Sequence, residues 1–130
     1  MVIDTSAIIA ILTAEPETLR LAQVIATDPK RIMSSFSQLE ASIVIEARKG
    51  ESGGRELDLL LHRIKVDIIP LTTEMSQLAL EAWRRFGKGR HPAKLNIGDC
   101  CAYALAKYSG EPLLFKGNDF SQTDINSVIY

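Results

Sequence analysis

Hydrophobic positions along this chain switch repeatedly between short solid runs and helical spacing, and the switches mark out strands and helices in turn. Val2-Ile3 is an apolar run that stops abruptly on Asp4, the pattern of a short buried strand. Ala7 to Leu12 is apolar nearly all round, which predicts a deeply buried helix capped by Thr5-Ser6. Glu15-Pro16-Glu17 opens a second helix, with Leu19, Ala22, Ile25 and Ala26 at helical spacing up to about Thr27, and Asp28-Pro29 ends it. Arg31 to Ser34 reads as a second strand, followed by a third helix capped by Ser35 or Ser37 and running to about Lys49. Gly50-Glu51-Ser52-Gly53-Gly54 reads as a turn before an amphipathic helix through Leu57, Leu60, Leu61 and Ile64.

The second half repeats the alternation. Asp67 to Leu71 reads as a strand ending near Pro70, and Thr72-Thr73 caps a helix whose inner face carries Met75, Leu78, Ala79, Ala82 and Phe86. Leu95 to Asp99 leads into an almost wholly apolar helix from Cys100 to Tyr108, which Gly110 ends. Leu113-Leu114-Phe115 is another short buried strand, and Val128-Ile129-Tyr130 reads as a last edge strand. Such alternation argues for an α/β fold with a mainly parallel central sheet and helices on both faces.

Length and composition narrow the class. At 130 residues the chain fits one domain, residues 1–130, and it has neither internal repeats nor linkers. No apolar run approaches the roughly 18 residues needed to span a bilayer, and no secretory signal pattern is present, so the expectation is a soluble cytoplasmic protein with no membrane role. Cys100 and Cys101 are adjacent and lack zinc-ligand neighbours, which makes them reduced core residues.

A net charge of -1 hides segregation. Arg84 to Lys94 holds Arg84, Arg85, Lys88, Arg90, Lys94 and His91 with no acid, a third of the 15 Lys and Arg residues. A Gly-interrupted cationic segment suits a polyanion, although a merely solvated loop explains the composition equally well. Arg84, Arg85, Lys88 and Arg90 are the candidate contacts to such a polyanion.

The acids are placed differently. Phe36, Glu40, Ile43 and Ala47 fall within about 60° on a helical wheel, which puts Glu40 inside an apolar stripe, where a carboxylate needs a cation, a metal or a shifted pKa. Asp99 stands in the first turn of a buried helix, where capping alone is a sufficient reason for it. In a parallel sheet the residues after Ile3 and Phe115 emerge at the carboxyl edge, so Asp4 and Asp119 share one region there, with Glu40 and Asp99 within reach. Four carboxylates without buried cations raise one another's pKa, and a divalent cation resolves the conflict. Oxygen-only ligands favour Mg2+ or Mn2+ over zinc, and such ions serve phosphodiester hydrolysis.

These residues resemble those of a family. Val2-Ile3-Asp4-Thr5-Ser6, Leu39-Glu40-Ala41, Leu95-Asn96-Ile97-Gly98-Asp99-Cys100 and Lys116-Gly117-Asn118-Asp119-Phe120, in that order and spacing, resemble the PIN domain and within it the VapC-type toxins of bacterial toxin–antitoxin pairs. The resemblance implies a three-layer α/β/α fold and a Mg2+-dependent ribonuclease acting on RNA. It also implies a VapB-type antitoxin that occupies the active-site groove, and a homodimer. It makes Asp4, Glu40, Asp99 and Asp119 the catalytic acids, with Asp4 and Asp99 as principal metal ligands and Glu40 binding metal or orienting water. Relatives often carry two adjacent acids in the last motif; here Asn118 stands at the first. Thr5 or Ser6 hydrogen-bonds the site or caps the helix. A receiver-like signalling module is the rival, but it requires an acidic pair beside Asp4 and a phosphoacceptor after the third strand, where Thr5-Ser6 and Leu71-Thr72 stand. A PIN-like protein that binds RNA without cutting it is the other alternative.

Overall fold

The computed structural model describes residues 1–130. The elements run β1 (Val2–Ile3), α1 (Thr5–Leu12), α2 (Thr18–Thr27), β2 (Ile32–Ser34), α3 (Ser35–Lys49), α4 (Glu51–Arg63), β3 (Asp67–Ile69), α5 (Thr73–Phe86), α6 (Ile97–Ser109) and β4 (Leu113–Leu114). Every strand pair is parallel, and the sheet order is β3-β2-β1-β4.

β1, β2 and β4 are buried throughout, which is why β1 and β4 are solid apolar pairs, while the edge strand β3 begins on exposed Asp67 and is only half-buried at Ile68 and Ile69. Val2, Ile32 and Leu113 pack with Met75, Phe86 and Leu105 under α5 and α6. Their neighbours Ile3, Met33 and Leu114 pack with Ile8, Leu21, Ile45 and Leu57 under α1 to α4. The result is the expected three-layer α/β/α sandwich. Each such fully buried aliphatic side chain contributes on the order of 2 kcal/mol.

The topology selects the functional edge. From β1 the chain steps outward to β2 and β3, then crosses back to add β4 on the other side of β1. The crevice at the carboxyl ends of β1 and β4 is therefore the topological switch point, where open α/β sheets bind ligands.

Four local expectations are corrected. Gly50 alone makes the break after α3, with φ 68°, and Gly53 and Gly54 lie inside α4. They are glycines because α4 runs hard against α3: a Cβ on Gly53 would come within 2.9 Å of the Ile45 carbonyl oxygen. The second helix starts at Thr18, not at Glu15. Val128 to Tyr130 forms no strand; a single bridge joins Ser127 to Leu113, with the Val128 N–H donating to the Leu113 carbonyl at 2.9 Å. The buried face of α3 is Ser37, Ala41 and Ile45, while Ile43 is 61% exposed. Small residues win that face because they admit close approach, shown by the Thr5 hydroxyl donating to the Ser37 carbonyl at 3.1 Å.

Candidate active site

An open cleft of about 300 Å³ lies at the switch point, lined in part by Asp4, Ser6, Glu15, Glu40, Arg48, Asp99 and Lys116. The end of β1, the middle of α3 and the first turn of α6 each supply an acid, and Glu15 joins them from the turn before α2. Asp4 follows β1, and its own side chain, not Thr5 or Ser6, is the N-cap of α1. The Ser6 N–H and hydroxyl both donate to Asp4 Oδ2, at 3.0 and 2.6 Å. Ser6 Oγ in turn accepts the Lys116 N–H at 2.9 Å, which ties the residue after β1 to the strand end beside it. Asp4 is buried, and burial pushes its carboxyl up to about 6 against the lowering effect of Ser6, with Glu40 adding to the rise.

Asp99 is the third residue of α6 and closes a capping box: its Oδ2 accepts the Asn96 N–H at 3.0 Å, and the Asn96 side chain accepts the Asp99 N–H at 2.8 Å. Burial pushes its carboxyl up to about 7, and the charges of Asp4, Asp119 and Glu40 push the same way. The capping explanation therefore holds, and it leaves Asp99 facing three other acids.

Glu40 reaches the cleft from the half-exposed face of α3, where it lies directly over Gly98. A Cβ at Gly98 would stand 2.3 Å from Glu40 Oε2. Gly98 is bare because the Glu40 carboxylate occupies the space its side chain would fill. Glu40 makes no hydrogen bond or ion pair with the chain, so its position inside a mixed stripe is not explained by a structural partner.

Asp119 is exposed and does not line the cleft, although its charge is felt at Asp99. Asn118 is exposed, and its carbonyl accepts from the Ser121 N–H and hydroxyl at 3.2 and 2.7 Å. No three acids, histidines or cysteines stand close enough to form a ready-made ligand set. The donor chemistry nonetheless suits a hard divalent cation: the groups are all oxygen, and two of them are pushed up to about 6 and about 7 by burial and by their acidic neighbours.

The cations divide into three groups. Lys88, Arg90, His91 and Lys94 surround a separate surface pocket of about 520 Å³. Arg90 lies over the Trp83 ring at 4.4 Å, and Arg84 is exposed on the last turn of α5. Arg85 points elsewhere, pairing with Asp124 at 3.5 Å and lying 4.7 Å over the Phe86 ring. Arg48 and Lys116 are inside the acidic cleft, and nothing in the composition of their segments singles them out. An apolar groove of about 460 Å³ between α5 and the start of α6 holds no acid. Cys100 and Cys101 border it as free buried thiols pushed up to about 11 by burial.

The PIN domain family matches this chain over residues 1–126, and the chain belongs to that family. Within it, the chain is 57% identical to Ribonuclease VapC of Mycolicibacterium smegmatis over 128 residues, 98% of this chain and 99% of that one. It is 55% identical to Ribonuclease VapC30 of Mycobacterium tuberculosis, with 98% of each covered. Among solved structures it is similar to Mycobacterium tuberculosis VapC20, a sarcin-ricin loop cleaving toxin, with TM-score 0.80 and 17% identity over 98% of this chain and 97% of that one. It is also similar to VapBC2 from Rickettsia felis bound to promoter DNA, with TM-score 0.76 and 15% identity over 98% and 96%. At those identities the structures speak for the fold alone. The receiver-like reading falls away with the family assignment.

Proposed function

We propose that this protein is an endoribonuclease that hydrolyses RNA phosphodiester bonds with a divalent cation, Mg2+ or Mn2+, and serves in the cytoplasm as the toxin of a toxin–antitoxin pair. The observation that carries the reading is the convergence of Asp4, Glu40 and Asp99 from three elements on one cleft at the switch point. Kinship with VapC ribonucleases over nearly the full chain supports the substrate class.

Asp4 and Asp99 would hold the cation, each already fixed through Oδ2 by a hydrogen bond from the chain, at 2.6 and 3.0 Å. When bound, such an ion activates water for in-line attack on phosphorus and offsets charge on the leaving oxygen. Glu40, free of partners, orients that water or completes the ligand set, and Ser6 fixes the Asp4 carboxylate. Asp119 contributes from outside the cleft through its charge. The exposed cations Arg84, Lys88 and Arg90 attract the RNA backbone. A homodimer and a VapB-type antitoxin are the protein partners. Leu39, Ile43 and Ile97, at 58%, 61% and 70% exposed, supply the kind of apolar surface such partners cover.

The purified protein is expected to cut single-stranded or looped RNA with Mg2+ or Mn2+, and both EDTA and Asp4→Asn should stop it. Cutting that survives both treatments would place the chemistry elsewhere.

A further inference from the structure

The acid-rich cleft has to admit a polyanion, and only two of its lining residues are cationic, Arg48 and Lys116. They differ in how the chain uses them. Lys116 is committed: its ammonium pairs with Glu15 and, at 3.4 Å, with Glu17. Arg48 has no ion pair and no hydrogen bond to another residue's side chain, although its neighbour Lys49 bonds both the Leu12 carbonyl, at 3.0 Å, and Glu56, at 3.3 Å. The residue one turn before Arg48 on its own face of α3 is Val44, which is not acidic, and the helix ends one residue later at Lys49.

Glu40, Val44 and Arg48 repeat every four residues and all line the cleft, so one face of α3 runs from the acids to a free guanidinium. Eight residues of helix span about 12 Å, and helical side chains lean toward the N-terminus, which here is into the cleft. Arg48 thus lies about two turns beyond Glu40 along α3 and still lines the cleft. A planar guanidinium grips a phosphate through two parallel bonds, which an ammonium does not.

We propose that Arg48 is a substrate-positioning residue that binds an RNA phosphate flanking the one being cut. This rests on the ribonuclease reading above. It assigns recognition of the strand to α3 itself, in addition to the loop that composition makes obvious. The bland alternative is that Arg48 merely complements the C-terminal end of α3, a task any cation performs.

The test is steady-state cleavage of RNA oligonucleotides of increasing length that share one cut site, by the wild type, Arg48→Ala and Arg48→Lys. On the longer RNAs, Arg48→Ala should raise KM about tenfold with kcat unchanged, the mark of lost uniform binding. Arg48→Lys should fall between the two. On the shortest RNA that is cut, too short to offer the flanking phosphate, all three should coincide. Binding of the long RNA to Asp4→Asn protein should lose about 0.7 from its salt slope when Arg48→Ala is added.

Equal KM at every length would overturn the proposal while leaving the ribonuclease reading intact. Full rescue of KM by Arg48→Lys would overturn it in favour of the helix-end role. Weakened antitoxin binding with unchanged RNA kinetics would assign the contact to the protein partner and overturn it too. A wild type that cuts none of the RNAs would overturn both readings together.

Discussion

At the switch point, acids from the end of β1, the middle of α3 and the first turn of α6 arrive in one cleft, although 36 and 59 positions separate Asp4 from Glu40 and Glu40 from Asp99. Between Phe86 and Leu95 the cations are instead neighbours in sequence. The cleft acids are built in: Asp4 is 4% exposed, Asp99 closes a capping box, and Glu40 fills the space over Gly98. The loop cations are exposed, and the chain fixes the backbone beneath them. The Lys88 N–H donates to the Leu95 carbonyl and the Leu95 N–H to the Phe86 carbonyl, both at 3.0 Å, and His91 stands edge-on to Phe86 at 5.2 Å. Bond-breaking chemistry needs charges that cannot relax, and only a fold can force like charges together. Holding a strand needs charges that can follow it, and adjacency in sequence suffices.

The largest effect separating the two regions is expected at Gly98. Gly98→Ala drives a methyl group into the Glu40 carboxylate, the movable end of a flexible side chain, so the fold should survive while Glu40 is displaced. We expect kcat to fall about a hundredfold with little change in melting temperature. Full activity in Gly98→Ala would mean that Glu40 need not occupy that position.

Neutralising Arg84, Lys88 and Arg90 together should leave kcat unchanged, raise KM about tenfold and lower the salt slope of RNA binding by about 2. Arg85 is the contrast within the same segment. Its partners are Asp124 and Phe86, so Arg85→Ala should cost under about 1 kcal/mol of stability, discounted for exposure, and leave the salt slope alone. A slope that falls with Arg85→Ala would return this residue to the RNA-binding set.

The buried strands β1 and β4 were legible because strands covered on both faces are solid apolar runs, and the half-buried edge strand β3 was legible from Ile68-Ile69 before Pro70. The sequence placed Asp4 and Asp119 at the carboxyl edge with Glu40 and Asp99 in reach of it from helices; Asp4, Glu40 and Asp99 do line one cleft, and Asp119 does not. The inner face of α3 was not legible: Phe36 and Ile43 are the larger apolar residues, yet Ser37 and Ala41 face inward because close packing rewards small volume there. Gly53 and Gly54 looked like a turn for the same reason, since tight helix contact and turns both select glycine. Arg48 and Lys116 left only faint signals. Arg48 is eight residues after Glu40 on one helical face, and Lys116 stands two residues beyond β4. Their place in the cleft depends on α3 and β4 meeting across the sheet edge, which spacing alone does not encode.

On the function proposed above, the cleft acids are one electrostatic unit awaiting a divalent cation. Thermal unfolding between pH 5 and 8, with and without Mn2+, compares wild type with the Asp4→Asn, Asp99→Asn double variant. Asp4 and Asp99 are raised from 3.8 to about 6 and about 7, so the folded chain keeps protons that the unfolded chain has released. The resulting penalty is absent below pH 4, grows through pH 6 to 7 and is complete above it. Asp28, Glu111 and Asp124 shift downward and lose their contribution only in acid, below this window. The metal-free wild type should therefore lose stability relative to the double variant as the pH rises from 5 to 8, and Mn2+ should restore it at pH 8 in the wild type alone. Parallel pH profiles, or an equal Mn2+ effect on both proteins, would contradict the account.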